Sequence, residues 1–160
     1  LFIKEYPYGS ITARDIRQYL YQLDLYGYCK KPGLLIVDYL DIMNPVNATK
    51  NTYEDQGTTG GNLRALGQEG DFPVVTASQF SKQNLTVSIE DLSEFYIADS
   101  FKKVMVADTL IGMASTPEQR AEGKMNYKLM KSRNGKKDEI ITLNVDYPKL
   151  LITDIFRKPR

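Results

Sequence analysis

Histidine is absent from the 160 residues of this chain, and cysteine occurs once, as Cys29. The first absence excludes Ser-His and Cys-His nucleophile schemes and every histidine-ligated metal site. The second excludes an internal disulfide, a usage that fits a reducing compartment. Charge of one sign is lacking too: 21 Lys and Arg stand against 20 Asp and Glu, for a net charge of +1. The whole-chain balance therefore gives no argument for nucleic-acid binding, and any basic site must be local. No apolar run approaches the roughly 20 residues that span a bilayer. Also missing is the phosphate-cradling pattern G-x-x-x-x-G-K-[ST]. Gly57 to Gly61 is followed by Asn62 and Leu63, and Gly123-Lys124-Met125 and Gly135-Lys136-Lys137 lack the hydroxyl residue. Without that loop, the backbone N–H nest that holds phosphates is not in this stretch of sequence.

What is present is an ordinary globular composition, 42% hydrophobic and 26% charged. The length fits one domain over residues 1–160. Chemistry falls to Asp, Glu, Lys, Arg, Tyr, Gln and Ser side chains, or to a bound ion. Residues 2–6 (FIKEY), closed by Pro7 and Gly9, read as a strand. Ser10 or Thr12 can cap a helix over about 13–26, in which Ile16, Leu20 and Leu23 recur at helical spacing. Gly27 and Lys30-Lys31-Pro32-Gly33 end it. Leu34 to Val37 is a continuous apolar run that suits a strand buried on both faces.

Residues 44–61 are polar, with three glycines, and read as a long loop. A helix follows over 62–70, then a second buried strand from Phe72 to Ala77. Residues 81–97 read as irregular, 98–103 as a short helix, and 104–106 with 109–113 as an apolar strand region. Thr116 and Pro117 start a helix. Residues 125–130, 140–145 and 150–152 then read as strands, with Asn134-Gly135 as the hairpin signal. An α/β pattern thus gives way to an antiparallel meander.

Three constellations carry chemistry. The first is LLIVDYLD, residues 34–41. A carboxylate at the carboxyl end of a buried parallel strand lies where α/β proteins bind ligands. There Asp38 can hold Mg²⁺, largely through water, or simply solvate a loop. The second is PVVTASQ, residues 73–79. Gln79, ending a neighbouring strand, can bond a phosphate or orient a water, or bond loop backbone. The third is LMKSRNGKK, residues 129–137. Lys131 and Arg133 are two apart, share a strand face, and can reach phosphates of a neighbouring subunit or form a solvated turn.

In this order, these segments resemble the C-terminal ATPase domain of DnaB-like replicative helicases, in a bacteriophage-like form. The similarity runs from FIKEYPYGS through LLIVDYLDIM, NLRALGQEGDFPVVTASQF and DSFKKVMVADTLIGM to KLMKSRNGKKDEIITLNVD. It implies an α/β fold: a RecA-like P-loop NTPase core, three-layered with a mostly parallel sheet, a C-terminal antiparallel hairpin or meander, and the P-loop portion absent. It implies ATP and Mg²⁺ as cofactors, single-stranded DNA as ligand and a homo-oligomeric ring, a hexamer. A primase or helicase loader is an expected partner, and the cytoplasm of a bacterial or phage-infected cell the expected location. Asp38 matches the Walker B aspartate that positions the metal, and Gln79 the residue that senses the terminal phosphate. Arg133 matches the arginine finger inserted into a neighbour's site, and Lys131 the lysine beside it. The loops after Asp41 and Gln79 match those that hold DNA.

For DNA contact the sequence offers Lys50, Arg64 and Lys82, and backbone N–H groups of Gly57 to Gly61. The second loop also carries Glu90, Asp91 and Glu94, which suit phosphate binding poorly. The family's P-loop and catalytic glutamate would both precede Leu1. The non-Met start inside a strand reads as a piece of a longer protein, with strand edges facing a gap that other sequence fills. Two other readings stand beside this one. One is a different RecA- or KaiC-like ATPase serving recombination or regulation. The other is a non-catalytic α/β assembly module without a P-loop.

Overall fold

The structure, a computed structural model, describes residues 1–49, 51–80, 89, 101–133, 135 and 138–153. The chain divides into two compact units. One comprises Leu1–Lys82 and Ile97–Ala107, the other Gln83–Tyr96 and Asp108–Arg160.

In the first unit, helix α1 spans Ala13–Leu25. It starts where expected because Thr12 closes a capping box. The Asp15 carboxylate accepts the Thr12 N–H at 2.8 Å and its hydroxyl at 2.7 Å, while the Asp15 N–H donates to Thr12 Oγ1. These bonds, the Thr12 side chain's first, hold the Asp15 carboxyl below its ordinary range. Ile16 and Leu23 are buried, as their spacing predicts. Gly27 ends the helix in the left-handed region, φ +73°, and the N–H groups of Tyr28 and Cys29 donate to the Leu23 carbonyl.

Strands β1 (Leu35–Val37) and β2 (Val74–Thr76) pair in parallel, Leu35 opposite Val74 and Val37 opposite Thr76. Helix α2 (Thr52–Gly70) connects them. Ala13, Ile16, Leu40, Met43, Leu63, Leu66 and Phe72 form the core, with Leu35, Val37 and Val74 packed against it. The expectation that β1 is buried on both faces fails. Ile36 is 67% exposed and its register partner Val75 53%, so one face of this two-stranded sheet is open. Residues 2–6 are not a strand either. A strand needs a ladder partner for its N–H and C=O groups, and none of the described strands pairs with this segment.

The long loop expected over 44–61 is also corrected: α2 already begins at Thr52. Two glycines of α2, Gly60 and Gly67, are contact positions rather than breakers. A Cβ on Gly60 would stand 3.3 Å from Val106, and one on Gly67 2.8 Å from Val74 and 2.9 Å from the Phe72 carbonyl. The Thr58 and Thr59 hydroxyls donate to the carbonyls of Glu54 and Asp55, four residues back. Packing of Thr59, Leu63 and Leu66, all buried, overrides weak propensity. The strand expected at 104–106 is instead the end of helix α3 (Phe101–Val106). Its last carbonyl, on Val106, accepts from Arg64 at 2.5 Å, which satisfies a group that a helix end leaves orphaned.

The second unit is a four-stranded antiparallel sheet in the order β3 (Thr109–Ala114), β4 (Lys124–Ser132), β5 (Ile140–Asp146), β6 (Leu151–Thr153). Helix α4 (Pro117–Ala121) opens on the expected Thr116 cap, completed by Gln119. Asn126, Lys128 and Met130 are buried on one face of β4. The β4–β5 hairpin is tied by Leu129 N–H to the Glu139 carbonyl and Asp138 N–H to the Leu129 carbonyl. Asn134, half of the turn signal, lies outside the described residues. The parallel pair belongs to the expected α/β layer, and the antiparallel sheet is the expected meander. Among the described residues, no helix is long and apolar enough to cross a membrane.

Candidate functional site

The parallel register places two loops side by side. Asp38 follows Val37 at the end of β1, and Ala77, Ser78 and Gln79 follow Thr76 at the end of β2. The loops are laced together: Thr76 Oγ1 donates to the Val37 carbonyl at 2.8 Å, and the Leu40 N–H to the Ala77 carbonyl at 3.2 Å. Asp38 and Gln79 are thus brought to the same rim, as their places in the sequence predicted. The Asp38 carboxylate is exposed and has no hydrogen bond or ion pair among the described residues. Gln79 Nε2 donates to the Tyr39 hydroxyl at 3.4 Å.

Sequence reasoning missed the group that organises this rim. Asp41, in a 3₁₀ turn over Leu40–Ile42, accepts from Ser78 Oγ at 3.0 Å, the Gln79 N–H at 2.8 Å and Lys103 Nζ at 2.5 Å. Lys103 Nζ also donates to Ser78 Oγ at 3.2 Å. The side chains of Lys103 and Asp41 are 5% and 16% exposed, so this is a charged pair inside the protein. Desolvation opposes such a pair unless further hydrogen bonds satisfy its remaining atoms, and here Ser78 and the Gln79 amide do so. Asp41 and Ser78 lie within the motifs read from the sequence. Lys103, 62 residues away from Asp41, sits on a helix too short for periodicity to single it out.

In the second unit, Lys131 lies on β4 opposite Leu110. Arg133 follows the strand. Its N–H donates to the Asp108 carbonyl at 3.0 Å, and Nη1 to the Asp108 carboxylate at 2.9 Å. Both side chains are more than half exposed, and such pairs contribute about 0–1 kcal/mol. The guanidinium is therefore held lightly.

Of the residues expected to meet DNA, Lys50 and Lys82 lie outside the described residues, as does the loop over 81–97 apart from buried Ile89. Arg64 is not on a loop. It sits in α2 with its guanidinium on the Val106 carbonyl. Gly57 to Gly61 are inside α2, so their N–H groups serve the helix and form no phosphate nest. Among the described residues there is no cluster of three potential metal ligands. One free carboxylate, Asp38, is still the donor expected for Mg²⁺, which takes one or two carboxylates and completes its shell with water and substrate phosphates.

Comparisons with known proteins fall on these residues. The profile of the DnaB-like helicase C terminal domain matches residues 1–148. Over 145 residues the chain is 32% identical to a DnaB-like replicative helicase of Enterobacteria phage T4, a match that covers 87% of this chain and 29% of that protein. Among solved structures, it is similar to one described as an ATPase domain, with a TM-score of 0.76 at 17% identity, over 91% of this chain and 52% of that one. It is equally similar to a DnaB-like replicative helicase described with its interactions with primase, TM-score 0.76 at 16% identity, over 91% and 36%. The chain therefore spans less than a third of the curated relative. The structural likenesses show the fold, a RecA-like α/β core with an antiparallel extension.

Proposed function

The chain belongs to the DnaB-like helicase C-terminal domain family, and from that we propose that it is the carboxyl-terminal part of the ATPase domain of a ring helicase. The whole protein would translocate on single-stranded DNA and unwind duplex DNA during replication, in the cytoplasm of a bacterial or phage-infected cell. The supporting observation is the rim itself: Asp38, free and exposed, and Gln79, tethered, at the carboxyl ends of adjacent parallel strands. That is where open α/β sheets bind ligands.

In this reading Asp38 would hold Mg²⁺ on ATP, and the ion would supply charge neutralisation at the phosphate oxygens. Gln79 responds to the terminal phosphate across the rim. Arg133 leaves Asp108, at a cost of about 0–1 kcal/mol, and with Lys131 stabilises the transferring group bound by a neighbouring subunit of a hexameric ring. The phosphate cradle comes from sequence of the same polypeptide beyond these residues. Lys50 and Lys82 are the cations proposed for DNA, whereas Arg64 serves α3. A primase or loader is the proposed protein partner.

The test is ATP hydrolysis by the natural full-length polypeptide with and without single-stranded DNA. Stimulation by DNA, lost in Arg133→Ala with nucleotide binding retained, is the expected result. Equal turnover by variant and wild type overturns the assignment. The absence of a phosphate cradle from these residues favours one other reading, a non-catalytic assembly module. That reading predicts no hydrolysis by the full-length protein under any condition.

A further inference from the structure

We infer that Asp41 and Lys103 are positioning residues for Gln79, so that helix α3 sets how the phosphate-responding side chain stands at the rim. This rests on the role proposed above for Gln79. That side chain is exposed and lies beyond the end of β2, so no ladder holds it. Its own bond, to the Tyr39 hydroxyl at 3.4 Å, is at the long limit of hydrogen bonding. The firm tether is on the backbone: the Gln79 N–H donates to Asp41 Oδ2 at 2.8 Å. A bond to a charged acceptor is roughly twice as strong as a neutral one.

That tether is only as good as the orientation of the carboxylate. Asp41 Oδ1 and Oδ2 both lie within reach of Ser78 Oγ, at 3.0 and 3.1 Å, and Oδ1 takes Lys103 Nζ at 2.5 Å. Lys103 is rooted in α3, which in turn is fixed to α2 by Arg64 on the Val106 carbonyl and by the close approach of Val106 to Gly60. A continuous set of restraints thus runs from α2 through α3, Lys103 and Asp41 to the Gln79 amide. Without Lys103, Asp41 keeps Ser78 Oγ and the Gln79 N–H but loses the buried cation that fixes its carboxylate, so the Gln79 backbone is held less firmly. Misplacing a catalytic group by about 1 Å costs about 10²-fold in rate.

A pair that served stability alone would behave differently. Hydrophobic replacement of a buried ion pair is often neutral or stabilising, so a purely structural pair could be exchanged without loss of turnover. The full-length polypeptide is therefore compared as wild type, Gln79→Ala, Asp41→Asn, the apolar pair Asp41→Leu with Lys103→Met, and the apolar pair combined with Gln79→Ala. The readouts are DNA-stimulated ATP turnover and the Kd of a fluorescent ATP analogue. The apolar pair leaves no unpaired buried charge, so it remains informative should Asp41→Asn fail to fold.

The expected result is a loss of kcat of about 10–100-fold for the apolar pair, with Kd for the analogue within about threefold of wild type. Adding Gln79→Ala should lower kcat no further than Gln79→Ala alone, because both changes disable one device. If Gln79→Ala turns over at the wild-type rate, the proposed role of Gln79 falls and this inference falls with it. If Gln79→Ala is impaired but the apolar pair is not, or the two losses multiply, the inference alone is overturned.

Discussion

Replacing Lys103 by Met alone should loosen the rim far more than its distance in sequence from Asp38 and Gln79 suggests. Lys103 Nζ sits 2.5 Å from Asp41 Oδ1, and its side chain is 5% exposed. Removing one member of a buried pair costs about 3–5 kcal/mol, because the other charge stays behind uncompensated. Asp41 retains Ser78 Oγ and the Gln79 N–H, and its side chain is 16% exposed. The effect should therefore fall at the lower end, about 3 kcal/mol. Hydrogen exchange read by mass spectrometry reports this locally, since opening free energies differ from one part of a fold to another. Amides at 104–106 and at Gln79 should exchange about 100-fold faster in the variant, at about 1.4 kcal/mol per tenfold. Exchange at β4 and β5, in the other unit, should not change. The pair Asp41→Leu with Lys103→Met should restore protection near α3. Exchange at these amides within about threefold of wild type in Lys103→Met, against the roughly 100-fold expected, would show that the pair bears no load and would refute the reasoning.

Thr12→Ala should lower the stability of the first unit by about 1 kcal/mol, the usual loss for a helix cap, seen as faster exchange across α1. Because the Thr12 bonds depress the Asp15 carboxyl in the folded state, their contribution is fully present above the ordinary carboxylate range and is lost as pH falls through the depressed value. An acid titration of α1 exchange should show this loss in wild type and a smaller one in Thr12→Ala, which keeps the backbone N–H bond to the Asp15 carboxylate. Two glycines of α2 should respond with opposite sign. Gly61→Ala, whose Cβ would meet nothing within 4 Å, should stabilise by about 0.5–1 kcal/mol. Gly67→Ala, 2.8 Å from Val74 and 2.9 Å from the Phe72 carbonyl, should destabilise by about 1–3 kcal/mol, read by thermal denaturation. Arg133→Ala should reduce hydrolysis by about 10³–10⁵-fold with little loss of thermal stability, since its pair with Asp108 is exposed.

The readable parts of the fold were those where local chemistry and packing agree. The Thr12 and Thr116 caps, the Gly27 stop and the strands over 124–132 and 140–146 all announce themselves through short-range signals. The failures occur where distant contacts decide. Glycine at 57, 60 and 61 looks like loop chemistry, yet Gly60 lets α3 approach α2. Residues 104–106 have strand-like composition, but their last carbonyl is taken by Arg64, 42 residues away. At the site, Asp38 and Gln79 were legible because each ends an apolar run. Asp41 was visible only as the edge of a loop, and Lys103 carried no signal at all.

The charged groups of this chain sort by solvation according to what each is asked to do. Asp38 and Arg133, which act on a ligand in the proposed reading, are exposed, the first free and the second on an exposed partner. An exposed pair contributes about 0–1 kcal/mol, so exchanging Asp108 for a phosphate opposes catalysis very little. Burial of Arg133 with Asp108 would raise that barrier to several kcal/mol and work against the change of partners that the proposed reading gives Arg133. Lys103 and Asp41 face the opposite demand. They exchange nothing and must keep Gln79 in one place, and low exposure supplies the strength that an exposed pair lacks. Moving the charge of Lys103 to the surface, at constant net charge, should therefore preserve the protein's solubility and lose its rim.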